Sequence, residues 1–232
     1  MKKKGQYISK KKKQNYYKKP QQKKAKPEEQ EKKQQKEKKI ASKTQSISNK
    51  KILIAIFGIV LISFIAYFPT FQNEITNWDD NKYITENPLL KELNGETISR
   101  MFLSSDSEEL YWMGNYHPLT MLSLNINYQM TGEDEEENIN PFIFQLTNIL
   151  LHLICTILVF FITYLLFKNF PVALMTALLF GVHTLHVESV SWISERKDVL
   201  YSVFYFSSLL FYIKYVLENK TKNYIFALIF LF

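Results

Sequence analysis

The chain has 232 residues, 47% of them hydrophobic, with a formal charge of +7 and a mean hydropathy of −0.15; averaged in this way it reads as one basic soluble domain. The distribution excludes that reading, because residues 1–51 hold 20 Lys against 4 Glu while the other 181 residues hold 9 basic and 18 acidic groups, and the apolar residues gather in blocks. The basic excess lies in one tail beside an apolar run, which excludes a nucleic-acid-binding face, and Cys155, as the single cysteine, excludes an internal disulfide or a zinc ribbon.

Residues 1–51 have few apolar side chains to bury and read as a disordered cytosolic tail, with attraction to anionic lipid headgroups as the sharper alternative. Residues 52–68 form a run of 17 without a charge, which predicts a first transmembrane helix. The basic stretch before it is too long for a cleaved signal peptide and no small-x-small site follows, so it reads as a signal anchor. Residues 69–145 then form a large loop, and within 69–140 there are 14 acidic and 3 basic residues. Ile98, Met101 and Phe102, and then Leu119, Leu122, Leu124 and Ile126, recur at helical spacing and predict short helices lying on the membrane surface. Residues 133–137 are an acidic, solvated tip.

Residues 146–167 predict a second span, in which Asn148 and His152 lie four apart and face the bundle interior in an interhelical hydrogen-bonding role. Cys155 on the same span is a small lipid- or helix-facing residue. Residues 168–171 make a tight turn. A third span begins at Pro171 and stays apolar to Val182, residues 199–216 predict a fourth, and residues 224–232 open a fifth. The class is an all-α, multi-spanning membrane protein. Its last residues stop inside an apolar run, so the sequence is expected to be the N-terminal part of a longer chain.

Basic flanks set the expected orientation. The Lys-rich tail, Lys168, Lys214, Lys220 and Lys222 share one side if spans alternate, and that side is the cytosol. The loop 69–145 and the quartet Glu195-Arg196-Lys197-Asp198 then share the extracytoplasmic face. Arg196 and Lys197 break the charge rule there, so another reason must retain them. The sequon at Asn219 falls on the cytosolic side and is discounted.

Two clusters on that outer face can carry chemistry. Asp79 and Asp80, adjacent in Asn77-Trp78-Asp79-Asp80, suit a general base or a divalent ion, against the plainer reading of an acidic turn capping a helix. His183 and His186, on one helix face with Glu188 beyond, lead through Trp192 to Arg196 and Lys197. The His/Glu spacing fits neither the His-Glu-x-x-His zinc pattern nor its inverse. Ionisable groups at membrane depth mark a polar cavity, Arg196 and Lys197 suit a phosphate, and Trp192 suits a sugar face or the membrane interface. Between the clusters, Tyr116-His117-Pro118 reads as a turn leading into a helix.

The stretches Trp78 to Pro88, Asn115-Tyr116-His117-Pro118-Leu119-Thr120, Leu146 to His152, and His183 to Leu200 occur in the same order in the transmembrane and tetratricopeptide-repeat-containing O-mannosyltransferases and their bacterial relatives. The chain resembles that family over roughly residues 65–217, and the tail lies outside the likeness. The resemblance implies a C-type glycosyltransferase fold whose first outer loop bears the catalytic carboxylate. It further implies a polyprenyl-phosphate sugar as donor, a protein or glycan hydroxyl as acceptor, the lipid bilayer as surroundings, and no nucleic acid. On that reading Asp79 or Asp80 is the base, and Arg196 and Lys197 hold the leaving phosphate. His183 or His186 adds a hydrogen bond with its tautomer fixed by Glu188, Trp192 contacts the donor, and Tyr116 and His117 contact acceptor or sugar. No cofactor beyond the donor is implied, and Asp79 and Asp80 are where a divalent metal would sit. No Gly-rich phosphate loop is found, in keeping with a lipid-linked donor. Thr184, where the family has Pro, and the acidic insertion 133–137 are departures. The alternative is a non-enzymatic membrane scaffold or a transporter with a downstream repeat domain, the latter expected to show internal repeats and broken helices.

Overall fold

The computed structural model describes residues 48–103, 112, 115–131 and 139–232. Of the expected disordered tail 1–51, residues 1–47 lie outside the described residues, as does the acidic tip 133–137, while residues 49–51 are helical and open the first helix. Helix α1, Asn49–Tyr67, continues as a tight 3-10 turn over Phe68–Gln72, where Pro69 suits a helix start but donates no hydrogen bond. Three more short elements follow: a π turn at Asn81–Thr85, a 3-10 turn at Pro88–Leu90, and α2 at Gly95–Leu103. Then come α3, Pro118–Met130, and α4, Phe142–Phe167.

At the end of α4 the chain reverses within two residues. Lys168 takes a left-handed conformation at φ 50°, and the Asn169 side chain accepts from Val172 N at 3.2 Å, with Pro171 in the first turn of α5, Phe170–Gly181. A 3-10 turn Thr184–His186, the short α6 Val187–Ser191 and a second 3-10 turn Ile193–Glu195 lead to α7, Arg196–Glu218, and α8, Thr221–Leu231. Asn49–Gln72, Phe142–Phe167 and Ile193–Glu218 are long and apolar enough to cross a membrane, and α5 with Thr184–Ser191 makes a fourth if that pair, bent by 46°, is one span. The protein is an all-α integral membrane protein.

Helix α4 is the hub, packed against α1, α5 and α7, with α8 against α7. Gly181 lets α5 approach closely: a Cβ there would overlap Ser63 Oγ and lie 3.0 Å from Thr156 Cγ2. Asn148 and His152 on α4 face inward, as expected. Asn148 Nδ2 donates to Trp192 O at 3.2 Å, and His152 Nε2 lies 3.0 Å from Gly181 O. Cys155 is buried against α7, its Sγ 3.7 Å from Val199 O.

The segment before α4 differs from the surface-helix expectation. Met101, Met121 and Leu124 are fully enclosed, packed on Ile84, Leu89, Leu90 and Phe144 in a core of their own. Side-chain amides make this possible by satisfying the turn backbone. Asn87 Oδ1 accepts from Leu89 N at 3.0 Å, Asn125 Nδ2 donates to Leu89 O at 2.7 Å and Glu92 O at 3.0 Å, and Gln129 Nε2 to Leu90 O at 2.8 Å. Met101, Met121 and Leu124 of the apolar stripes therefore face protein, while Ile98, Leu119 and Ile126 stay exposed, and the described residues between 75 and 130 form a packed cap over the start of α4.

Arg196 locks this cap to the membrane helices. Its guanidinium is fully buried and donates from Nε to Asn148 Oδ1 at 2.8 Å, from Nη1 to Ser123 O at 3.2 Å, Ser123 Oγ at 3.1 Å and Asn127 Oδ1, and from Nη2 to Phe144 O at 2.8 Å. Arg196→Met would strand several buried acceptors at once, and is expected to lower stability by about 3 kcal/mol or more. Thermal unfolding in detergent should show Arg196→Met well below wild type and well below the exposed-site control Lys220→Met.

Candidate functional site

The C-terminal end of α1, the start of α4, the end of α5, α6 and the start of α7 meet at one end of the bundle. Tyr67 packs edge-on against His152 at 5.0 Å, Thr70 Oγ1 and Ser191 Oγ share a hydrogen bond at 2.8 Å, and Gln145 Nε2 donates to Asn73 O at 2.7 Å. Both sequence-level clusters fall there, and the structure divides each of them.

Asp80 is buried and its oxygens are filled. Oδ2 accepts from Thr76 N at 3.0 Å and Thr76 Oγ1 at 2.6 Å; Oδ1 accepts from Ser194 N at 3.1 Å and from Ser194 Oγ. It staples the loop after α1 to the turn before α7. Among the described residues no group of three or more His, Cys, Asp or Glu is placed to hold a metal. Asp79, half-buried, receives no hydrogen bond from a described residue.

The surroundings of Asp79 centre on Tyr83. The Tyr83 phenol is pushed up to about 12 by burial first, then by the charges of Asp79 and Glu195. His117 stacks on that ring at 5.4 Å and 19°. Both His117 nitrogens are covered and lack a protein partner, and burial, followed by the charge of Lys197, lowers its pKa to about 4. Lys197 pairs with Glu195 at 2.7 Å and stays one-third exposed. A groove of about 470 Å³ runs from His117 and Lys197 along Leu119, Leu200, Tyr201 and Phe204, closed on its other side by residues 229–232. The Lys197 ammonium, paired with Glu195, and a neutral His117 imidazole thus sit at the head of an apolar trough.

Arg196, expected beside Lys197 as a phosphate clamp, is turned away from this trough into the network described above. The rotation of one residue along a helix, about 100°, sends neighbours to different faces. Tyr116 is exposed and donates its hydroxyl to Phe102 O at 2.9 Å. His183 and His186 do not share a regular helix, since the 3-10 turn intervenes. His183 Nδ1 accepts from Leu185 N at 3.2 Å, a cap, and the two rings lie 5.8 Å apart. Glu188 is exposed and makes no hydrogen bond to either ring among the described residues, so it does not fix their tautomers. Its carboxylate lines a separate cleft of about 530 Å³ with Glu74, Asn77 and Trp192. Trp192 Nε1 is covered without a partner. Sequence reasoning gave no role to Glu195, Tyr83 or Ser194; Ser194 is singled out only by its contact with Asp80, 114 residues away.

These features define a multi-pass helical membrane protein with a polar site at one end of its bundle. Comparison with known proteins upholds the family likeness. The chain is 36% identical over 110 residues to protein O-mannosyl-transferase TMTC1 of Homo sapiens, covering 47% of this chain and 11% of that protein. Protein O-mannosyl-transferase TMTC2 of Homo sapiens is 36% identical over 101 residues, or 44% of this chain and 11% of its own length. Protein O-mannosyl-transferase Tmtc1 of Drosophila melanogaster is 27% identical over 186 residues, or 77% of this chain and 20% of its own. The match thus spans only about a tenth to a fifth of these relatives. No family model matches the chain and no solved structure is similar to it.

Two measurements separate the site residues by role. Asp80→Asn removes charge and acceptor capacity at a buried staple and is expected to cost about 2–3 kcal/mol, whereas Asp79→Asn should leave the melting temperature unchanged. For His117 the folded pKa lies below the ordinary value of about 6.5. The unfolded chain therefore binds more protons between pH 6.5 and about 4, and stability held above pH 6.5 is lost as pH falls through that window. His117→Gln should flatten the melting temperature's pH dependence in that window.

Proposed function

We propose that the protein is a glycosyltransferase that moves a sugar, mannose or a close analogue, from a polyprenyl-phosphate carrier to an extracytoplasmic hydroxyl, most directly a protein Ser or Thr. The observation that carries this reading is the Lys197 ammonium at the head of an apolar groove, with Asp79, which receives no hydrogen bond from a described residue, acting on Tyr83, the ring that stacks on His117. The likeness to proteins named O-mannosyl-transferases supports it. The Lys-rich segment before α1 supports a cytosolic N-terminus and an outward-facing site.

In this mechanism the acceptor oxygen attacks the anomeric carbon as its proton passes to Asp79. The bond from that carbon to the phosphate oxygen breaks, its electron pair leaves with the polyprenyl phosphate, and the anomeric configuration inverts in one step. Lys197 stabilises the growing negative charge on the phosphate, an effect that is strong where water is scarce. Its pairing with Glu195 holds the ammonium at the groove mouth and can be exchanged for a phosphate. The neutral His117 ring and Tyr83 form the wall behind it, and Leu119, Leu200 and Phe204 take the first isoprene units. Asp80 and Arg196 act here as positioning residues, holding the Asp79 loop and the α7 start in register.

Membranes containing the protein, given radiolabelled polyprenyl-phosphate mannose, should transfer label to protein. Asp79→Asn is expected to lower the rate by about 10²–10⁴, the range for a lost general base, at unchanged membrane level and melting temperature. Lys197→Ala should lower it as well, and Lys197→Arg should recover part. Transfer by Asp79→Asn at the wild-type rate would remove the carboxylate from the mechanism. Absence of transfer with any carrier-linked sugar would favour the non-enzymatic scaffold.

A further inference from the structure

The charged quartet 195–198 is divided three ways. Arg196 is buried in the network described above, and Asp198 accepts from Ser189 Oγ at 3.0 Å beside a second cavity of about 270 Å³ among α4, α5, α6 and α7. Within the quartet it is Glu195 that reaches Lys197, with Nζ and Oε1 2.7 Å apart and the lysine and glutamate side chains only 33% and 18% exposed. The backbone under Glu195 is held in place, because it closes the 3-10 turn Ile193–Glu195, in which Ser194 N donates to Asp80 Oδ1 at 3.1 Å. Its charge also acts on Tyr83, after burial and Asp79, in raising the phenol. Among the described residues lining the apolar groove, Lys197 is the one ammonium or guanidinium. An anion entering that groove therefore finds its cation already held by a fixed carboxylate.

We propose that Glu195 is a positioning residue that competes with the lipid phosphate for Lys197 and so limits how tightly the product carrier is held. This deepens the transferase reading and rests on it. The donor in that reaction is a phosphodiester with one negative charge. The carrier it leaves behind is a phosphomonoester, with a charge of about −1.5 to −2 at pH 7. Coulomb energy scales with charge, so a lone ammonium at the head of an apolar groove would hold the product more tightly than the substrate. Turnover would then stall on release.

The Lys197–Glu195 pair, in contrast, has no net charge. As the bond to the anomeric carbon breaks, the ammonium swings to the phosphate while the carboxylate stays close on its anchored turn. There it repels the second negative charge, and it recaptures the ammonium as the carrier leaves. A glutamine at this position would still accept a hydrogen bond from Lys197 but would repel nothing, so the charge of Glu195, and not its shape, is what the device needs.

The test compares farnesyl phosphate, a monoester, with its methyl diester, each titrated calorimetrically into the whole protein in lipid nanodiscs. Wild type should bind the two within about threefold of each other, because the extra charge meets a neutral pair. Glu195→Gln should bind the monoester about tenfold more tightly than wild type does, and the diester with a much smaller gain. Glu195→Asp, which keeps the charge, should stay near wild type. With polyprenyl-phosphate mannose, Glu195→Gln should match wild type in a single turnover, yet fall several-fold in the steady state with stronger inhibition by bare polyprenyl phosphate. A residue that only anchored Lys197 would instead slow both phases and weaken both esters. If Glu195→Gln lowers the melting temperature, wild type alone decides: a monoester bound about tenfold or more above the diester overturns the proposal. So does a Glu195→Gln protein whose monoester affinity is unchanged or lower, or the failure of wild type and variant to bind either ester. Tighter monoester binding by Glu195→Gln without transfer from any carrier-linked sugar would keep the competing charge and remove the transferase. Transfer by Glu195→Gln with wild-type product inhibition would do the reverse.

Discussion

A buried arginine with no acidic partner among the described residues holds this protein together. Taking a guanidinium out of water costs several kcal/mol unless its donors are met, and Arg196 meets them with neutral acceptors from two separate elements: Ser123 and Asn127 on α3, and Phe144 and Asn148 on α4. The arginine itself opens α7. The cap, the hub helix and the fourth apolar helix must therefore arrive together, because any one missing leaves the charge uncompensated. Such burial accounts for a basic residue that the charge rule would disfavour in the orientation expected from the sequence.

Asp80 repeats the device with opposite sign. Its carboxylate collects two donors from Thr76 and two from Ser194, joining the loop after α1 to the turn just before Arg196. Each charged group is adjacent in sequence to one of the same sign that stays reachable: Asp79 beside Asp80, Lys197 beside Arg196. The buried member fixes the backbone, and the exposed member is then presented at a defined place. The cost of burial is offset by hydrogen bonds, and the free charge is positioned without being consumed. Such an arrangement suits a site where one carboxylate and one ammonium must stay available at the edge of an apolar groove.

Much of the architecture was legible in the sequence, for a simple reason. The bilayer forces every spanning segment to be a long apolar helix, so uncharged runs report the helices directly. The inward faces of Asn148 and His152 followed from the same logic, since lipid offers no partner for an amide or an imidazole. The reversal at residues 168–171 was legible because Asn169 and Pro171 are strong local signals for a helix start. The stripes of α2 and α3 were read correctly as helical; Met101, Met121 and Leu124 pack into a protein core while Ile98, Leu119 and Ile126 stay exposed. An amphipathic period states that a face is apolar, not what covers it, and here Asn87, Asn125 and Gln129 allow a protein core instead.

By itself, then, the sequence determined the helical membrane class, the likeness to the O-mannosyltransferase family, and the two charged clusters. Only the tertiary structure decided which member of each cluster is spent on the fold. Neighbours such as Asp79 and Asp80 have the same composition, charge and propensity. Their difference arises from Thr76 and from Ser194, 114 residues away, and from a helical turn that sends Arg196 inward and Lys197 outward. The cavity around Asp198 is likewise invisible in one dimension, because its walls come from four helices whose approach is set by packing.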